Sequence, residues 1–107
     1  MQTTTDELFK SLADPTRRAL LESLLRDGEQ TVRTLTDRAG VSQPAVSKHL
    51  SQLKLAGLVQ DRPEGRLVYY RASPQGLAPL IDWIEFYGAF WRKHFDKLED
   101  LLKRMDQ

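Results

Sequence analysis

The stretch GVSQPAVSKHLSQL, residues 40–53, carries polar side chains of the kinds that contact DNA. If Val46, Leu50 and Leu53 face inward on a helix, the opposite face presents side chains that can reach a ligand. These are Gln43, Pro44, Ser47, Lys48 and Ser51. Glutamine can pair with adenine, lysine can donate to guanine or to phosphate, and serine can bond to either. The pattern predicts a helix that reads base edges in the major groove. The alternative is a solvated face on a purely structural helix pair.

Two capping signals place this helix within a pair of helices. Ser42 suits the N-cap, and Pro44 then falls in the first turn, where the backbone N–H groups have no intrahelical partner. Thr31 caps a shorter preceding helix that stops at Gly40. A short helix, a glycine turn and a second helix form the helix-turn-helix pattern, which we place at about residues 31–56.

A basic β-hairpin is predicted to follow at about residues 58–72. The tripeptide PEG, residues 63–65, separates two short runs rich in Val, Leu and Tyr, which indicates a turn between two strands. Arg62 and Arg66 bracket this turn. A basic hairpin beside a recognition helix is a wing that contacts phosphates or the minor groove. The alternative is that these arginines only keep the turn soluble.

Three further basic or titratable side chains can each have one of two roles. His49 falls at a small, inward-facing position beside Leu50, so we predict that it packs or forms a local hydrogen bond. A phosphate contact is the alternative for His49. Arg17 and Arg18 lie in the first turn of the helix that Asp14 caps, where the helix dipole does not favour cations. We therefore predict a solvated face for them, with phosphate contact as the alternative.

The last helix, at about residues 74–104, predicts a homodimer. Its apolar residues follow a heptad, and its first half is apolar on nearly every side, which indicates burial on two faces. We expect one face to pack on its own domain and the other on a second copy, aided by residues 6–13. The predicted interface residues are Leu8, Leu12, Leu80, Ile84, Tyr87, Trp91, His94, Leu98 and Leu102. In the alternative, the aromatic side chains of residues 83–91 line a ligand pocket.

The chain reads as one mainly α domain with a small β-hairpin. Its 107 residues contain no apolar run near the roughly 20 residues that span a bilayer, so no membrane association is expected. The absence of cysteine excludes disulfides and thiolate metal sites and favours a cytoplasmic location. Two histidines and no phosphate-binding or nucleophile motif argue against an enzyme and against a cofactor. Residues 15–72 hold ten Lys and Arg against six Asp and Glu, an excess that suits double-stranded DNA.

Three segments resemble the ArsR-type winged-helix transcriptional repressors of bacteria. They are LADPTRRALLESL, VSQPAVSKHLSQLKLAGLV and RPEGRLVYYRASPQGL, and the match covers nearly the whole chain. The resemblance implies a winged helix-turn-helix homodimer that binds a palindromic operator and represses its own operon. It places recognition-helix contacts at Ser42, Gln43, Ser47, Lys48 and His49. It places wing contacts at Arg62, Gly65 and Arg66.

The metal-sensing patterns of that family are incomplete in this chain. Where one pattern has a cysteine cluster, residues 31–39 read TVRTLTDRA. The other pattern needs an Asp-x-His pair and a later His-x-x-Glu or His-x-x-His, whereas the chain has Asp82-Trp83-Ile84 and His94-Phe95-Asp96-Lys97. We therefore predict no metal site and a likeness to the cysteine-free, non-metal-sensing branch. An inducer, either a small molecule or a protein, is left open, as is a winged helix used only for protein assembly.

Overall fold

The computed structural model describes residues 5–106 and contains five α-helices and three short strands. The helices are α1 (Thr5–Leu12), α2 (Pro15–Asp27), α3 (Val32–Ala39), α4 (Gln43–Leu55) and α5 (Ala78–Met105). The strands are β1 (Gln30–Thr31), β2 (Val59–Glu64) and β3 (Leu67–Ala72), and a 3-10 turn, Pro74–Leu77, precedes α5. This order confirms a mainly α winged helix-turn-helix fold, in which α3 and α4 form the helix pair.

Side-chain caps begin three of the helices at the predicted residues. Asp14 Oδ1 accepts from the backbone N–H groups of Thr16 at 2.8 Å and Arg17 at 3.0 Å. The bond from Arg17 is the main reason that the pKa of Asp14 lies below its usual value. The N-caps Thr31 and Ser42 accept from backbone donors three residues ahead, at 3.1 Å and 3.3 Å. These bonds satisfy N–H groups that the helix itself leaves without a partner.

The 3-10 turn before α5 has no side-chain cap, since Ser73 precedes it and forms no cap hydrogen bond. The regular part of the last helix begins at Ala78, inside the predicted range of about residues 74–104.

The strands form one antiparallel sheet in the order β1-β3-β2, and β1 was not predicted. The hairpin turn also differs from the prediction, because residues 63 and 64 belong to β2 and pair with residues 68 and 67 of β3. The connection is Gly65-Arg66, and Gly65 has a φ of 61°. A two-residue hairpin with glycine first is the arrangement that type II′ turns require. Pro63 is tolerated because β2 is an edge strand.

The core joins α2, α3, α4 and the sheet. The inward positions predicted for α4 are confirmed, since Val46, Leu50 and Leu53 are fully buried. The other buried apolar residues are Leu8, Leu20, Leu21, Leu24, Leu35, Ala56, Leu58, Val59 and Tyr70. Leu8 therefore supports the core of its own chain and has no surface for a second copy, which corrects its assignment to the dimer interface. Leu12 and Leu80 are half-buried against the same core.

The helix α5 leaves this body soon after it begins. Leu77, just before α5, and Leu80 in its first turn pack against the core. The ring of Trp83 lies 5.0 Å from that of Phe9 in α1. None of the described residues of α5 is buried, and the molecule measures 70 × 31 × 20 Å. The expectation that one face of α5 packs along its own domain was therefore wrong beyond the first turns.

Candidate nucleic-acid interface

The N-terminal half of α4 presents a polar face on a buried support. Val46 and Leu50 anchor the helix in the core, and the opposite side chains are exposed. The exposed residues are Ser42, Gln43, Pro44, Ser47 and Lys48. Their positions follow from the 3.6-residue period, since the inward stripe fixes which side chains face away from it. The helix thus offers amide, hydroxyl and ammonium groups from a rigid element.

A groove of about 620 Å³ runs between α3, α4 and the turn of the wing. Gln43 and Ser47 line it from α4, and Arg66 lines it from the wing. The structure therefore brings together the predicted recognition helix and one of the two predicted wing arginines. Lys48 and Arg62 are not among the residues that line the groove.

Two residues of this groove were not among the predicted site residues. Arg33 and Asp37 line it from α3, four residues apart and so on one face of that helix. The polar spacing on α3 was a usable signal for both residues. Within residues 5–106, Arg33, Lys48 and Arg66 form no ion pair, so their charges are available to phosphates. The negative charge of Asp37 would repel a phosphate at the α3 wall of the groove, which restricts where a DNA backbone could lie.

Arg62 is held by other side chains and is not a free wing cation, and the DNA contact expected of it stays a prediction. Its Nε and Nη2 donate to both carboxylate oxygens of Glu29, at 3.2 Å and 2.7 Å. Its Nη1 donates to Glu64 at 2.7 Å, and the guanidinium lies 4.6 Å from the centre of the Tyr69 ring. The hydrogen bonds that Arg62 donates to Glu29 and, to a lesser extent, to Glu64 raise the pKa of Arg62, and the bond from Arg62 lowers the pKa of Glu29. Arg62 thus braces the wing against the segment before β1.

We expect Glu29→Gln to lower the thermal midpoint of unfolding slightly, and Arg62→Gln to lower it more, because Arg62 also contacts Glu64 and Tyr69. The double variant should lose little more than Arg62→Gln alone, because that single change already breaks the bidentate pair with Glu29. Thermal denaturation of the four proteins measures this coupling. Additive losses would show that the pair does not act as a brace. A rise in DNA affinity in Glu29→Gln would instead indicate that Arg62 contacts phosphate once it is released.

His49 belongs to a local hydrogen-bond network, as one of its two readings predicted, and does not face outward with the other α4 residues. Its Nδ1 lies 3.4 Å from Arg17 Nη1 and 4.0 Å from Asp14 Oδ1. Arg17 also donates from Nε to the carbonyl oxygen of Ser11 at 2.6 Å. The network ties the end of α1 and the start of α2 to the recognition helix. These contacts favour a positioning role for His49, and a direct DNA contact by this residue stays an untested prediction.

Arg18 is exposed, as its predicted solvated role requires, and it also forms local hydrogen bonds. Its Nη1 donates to the carbonyl oxygens of Leu12 and Ala13, at 2.7 Å and 3.1 Å. Carbonyl groups at a helix end have no intrahelical donor, so Arg18 supplies one for the end of α1.

An ion pair fixes the wing relative to α4. Lys54, in the last turn of α4, lies 3.0 Å from Asp61 of β2. The hydrogen bond that Lys54 donates to Asp61 raises the pKa of Lys54. The wing is therefore joined to the recognition helix as well as to the β1 side of the sheet.

Among residues 5–106, no group of three or more His, Asp or Glu side chains is placed to hold a metal ion. None of the helices in this range has the length and hydropathy needed to cross a bilayer.

The comparisons with known proteins agree with the fold. Residues 14–61 match the family described as bacterial regulatory protein, arsR family. The chain is 34% identical to the transcriptional repressor SdpR of Bacillus subtilis over 74% of its own length and 87% of that protein. It is 46% identical to the arsenic resistance transcriptional regulator ArsR1 of Pseudomonas putida, but the match spans only 58% of that relative.

A solved structure extends the comparison to nearly the whole fold. It is the homodimeric winged helix-turn-helix DNA-binding domain of a Mycobacterium bovis protein. Its TM-score is 0.64 at 29% identity, covering 83% of this chain and 82% of that one. The two relatives above are transcriptional regulators and not enzymes. By these matches and by its fold, the chain belongs to the ArsR family of bacterial transcriptional regulators.

Proposed function

We propose that the protein is a homodimeric repressor that binds an inverted-repeat operator. In this proposal α4 enters the major groove and reads bases with Gln43 and Ser47, while Arg66 contacts the backbone or the minor groove. The observation that carries the proposal is the groove in which α4 and the wing turn present these side chains on one surface. An α-helix fits the major groove of B-form DNA, and a neighbouring cation fits the adjacent phosphates.

The homodimer is supported by the exposed apolar side chains of α5. A helix of 28 residues with no buried residue leaves an apolar patch that soluble proteins rarely leave in water. The large exposed apolar side chains are Ile81, Trp83, Ile84, Phe86, Tyr87, Phe90, Trp91, Phe95, Leu98, Leu101, Leu102 and Met105. The similar domain from Mycobacterium bovis is homodimeric. A second copy of α5 is the occupant that the heptad spacing favours.

Selection from a random DNA library tests the proposed function. The expected product is an inverted repeat whose half-site centres lie about 10 base pairs apart, or a multiple of that, because two recognition helices of a dimer lie one DNA turn apart. Affinity for the selected site should fall steeply as salt rises, since each phosphate contact releases counterions. A winged helix used only for protein assembly would select no sequence and would show no steep salt dependence.

Gln43→Ala and Arg66→Ala should affect DNA binding in different ways. Gln43→Ala should weaken the selected site by about tenfold and relax base preference, because a bidentate base contact discriminates between bases. Arg66→Ala should weaken all sequences about equally and reduce the salt slope by about 1, because a phosphate contact carries no base information. Fluorescence anisotropy on the selected and a scrambled site, at several salt concentrations, separates the two effects.

The control for Arg66→Ala is Arg92→Ala, which removes the same charge from an exposed position of α5 and should leave affinity nearly unchanged. If Arg66→Ala behaves like this control on every sequence, the wing turn does not contact DNA.

A further inference from the structure

A second cleft lies between α2 and α3, outside the groove of the proposed DNA site. It has a volume of about 350 Å³, at the lower end of the range for small-molecule sites. Its walls are mainly small or apolar: Ala19 and Leu20 from α2, Leu35 and Ala39 from α3. The small alanine side chains on facing helices leave the space that larger residues would fill.

The charged side chains that line this cleft are all positive. Arg26 and Arg38 are among the lining residues, and none of the described residues that line the cleft is acidic. Both arginines share one carboxylate, since Asp27 lies 2.8 Å from Arg38 and 3.9 Å from Arg26. One positive charge is therefore left uncompensated. Arg38 is also oriented by a 3.4 Å bond to Gln30, whereas Arg26 is highly exposed and its contact with Asp27 is the longer of the two, so Arg26 can turn toward a ligand.

We propose that the cleft between α2 and α3 binds a small organic carboxylate with an apolar chain. The chain would lie between Ala19, Leu35 and Ala39, and the carboxylate would accept from Arg26, with Arg38 beside it. Guanidinium groups bind carboxylates by charge-assisted, often bidentate hydrogen bonds. Apolar walls with a few placed polar groups are the usual composition of such sites.

The position of the cleft gives the ligand a route to the recognition helix. Leu35 lines the cleft and also belongs to the buried core that supports α4. The helix α3 then leads through Gly40 directly into α4. A ligand that separates α2 from α3 would therefore move the helix pair as a unit. This regulatory part rests on the proposed DNA-binding function, and by linkage DNA and ligand must change each other's affinity by the same factor.

Amide NMR of the full chain, titrated with octanoate, tests the binding site without DNA. We expect saturable shifts centred on the amides of Ala19, Leu35 and Ala39. Acetate, which lacks the chain, and 1-octanol, which lacks the charge, should give no saturable shifts there at the same concentrations. Equal shifts from acetate, or octanoate shifts centred on the aromatic residues of α5, would overturn the proposed site.

Two substitutions examine the two halves of the site. Ala19→Leu should fill the cleft, and Arg26→Gln should remove the cation that binds the carboxylate. Each change should weaken octanoate binding by about tenfold. Ala19 and Arg26 are exposed, so neither change should impair folding. Arg92→Gln is the matched control and should bind octanoate like the parent protein. Unchanged affinity in both cleft variants would overturn the site.

The coupling is measured separately by repeating the octanoate titration with the selected DNA bound. We expect octanoate affinity to change at least about fivefold, the lower end of typical allosteric coupling. Equal affinity with and without bound DNA would overturn the regulatory part. Failure of the protein to select any DNA would overturn the proposed function but not the octanoate site, because that site is assayed on the free protein.

Discussion

Leu98→Glu is expected to convert the protein from a dimer to a monomer at micromolar concentration. Leu98 lies in the distal half of α5, where residues 89–106 are all exposed, and it occupies the same heptad position as Ile84 and Trp91. A charge buried at a helix–helix seam without a partner strongly opposes association. Light scattering should give twice the mass of one chain for the parent protein and one chain mass for the variant.

The same substitution should weaken binding to the selected inverted repeat by about a hundredfold or more. A dimer binds its second half-site as an intramolecular event, and a monomer loses that effective concentration. Binding to a single half-site should change little, because Leu98 is far along α5 from the recognition helix.

Ala89→Glu is the matched control for Leu98→Glu. It adds the same charge to the same helix, on an exposed position opposite the heptad seam. We expect it to remain dimeric and to bind DNA like the parent. If Leu98→Glu stays dimeric, or if Ala89→Glu dissociates as well, α5 does not pair along the predicted seam.

The helix starts could be predicted from the sequence because their causes are local. Asp14, Thr31 and Ser42 each accept from a donor no more than three residues away. The inward face of α4 was equally predictable, since a short apolar stripe fixes the face of a helix. Predictions of this kind need no knowledge of what lies elsewhere in the chain.

The partners that could not be predicted belong to side chains whose contacts are distant in sequence. Arg62 is bonded to Glu29, 33 residues away, because β3 brings β2 beside the segment that leads into β1. His49 meets Arg17, 32 residues away, through the packing of α2 on α4. A two-residue strand such as β1 has no periodicity to read, so the sheet that creates the Arg62 contact was not visible in the sequence.

The exposure of α5 beyond its first turns was not predicted, for a related reason. The sequence showed apolar side chains on nearly every side of the helix, and burial against its own domain was one way to cover them. Which face meets which surface depends on the angle at which α5 leaves the body. That angle is set at the 3-10 turn Pro74–Leu77, where Ser73 N–H donates to the carbonyl of Leu58 at 2.8 Å.

Gly76→Ala is expected to destabilise the protein by about 2–3 kcal/mol, in the upper range for an overpacked site. A Cβ atom built on Gly76 collides with the carbonyl oxygen of Gly57 and lies 2.8 Å from its carbonyl carbon. Both obstacles are backbone atoms, so no side-chain rotation relieves them. Gly76 is not among the glycines with positive φ, so the cost comes from the close approach and not from backbone conformation.

The control for this prediction is Gly88→Ala, which makes the same chemical change within α5. There the added Cβ meets only the mobile end of the Arg92 side chain, 3.3 Å away. Alanine is the better helix former by about 1 kcal/mol, so this variant should be as stable as the parent or more stable. Urea denaturation of the three proteins gives the comparison. Since Gly76 lies where α5 meets the body, Gly76→Ala should also weaken the dimer as the start of α5 shifts. Equal stability of Gly76→Ala and the parent would show that the turn before α5 is not packed closely enough to set the direction of that helix.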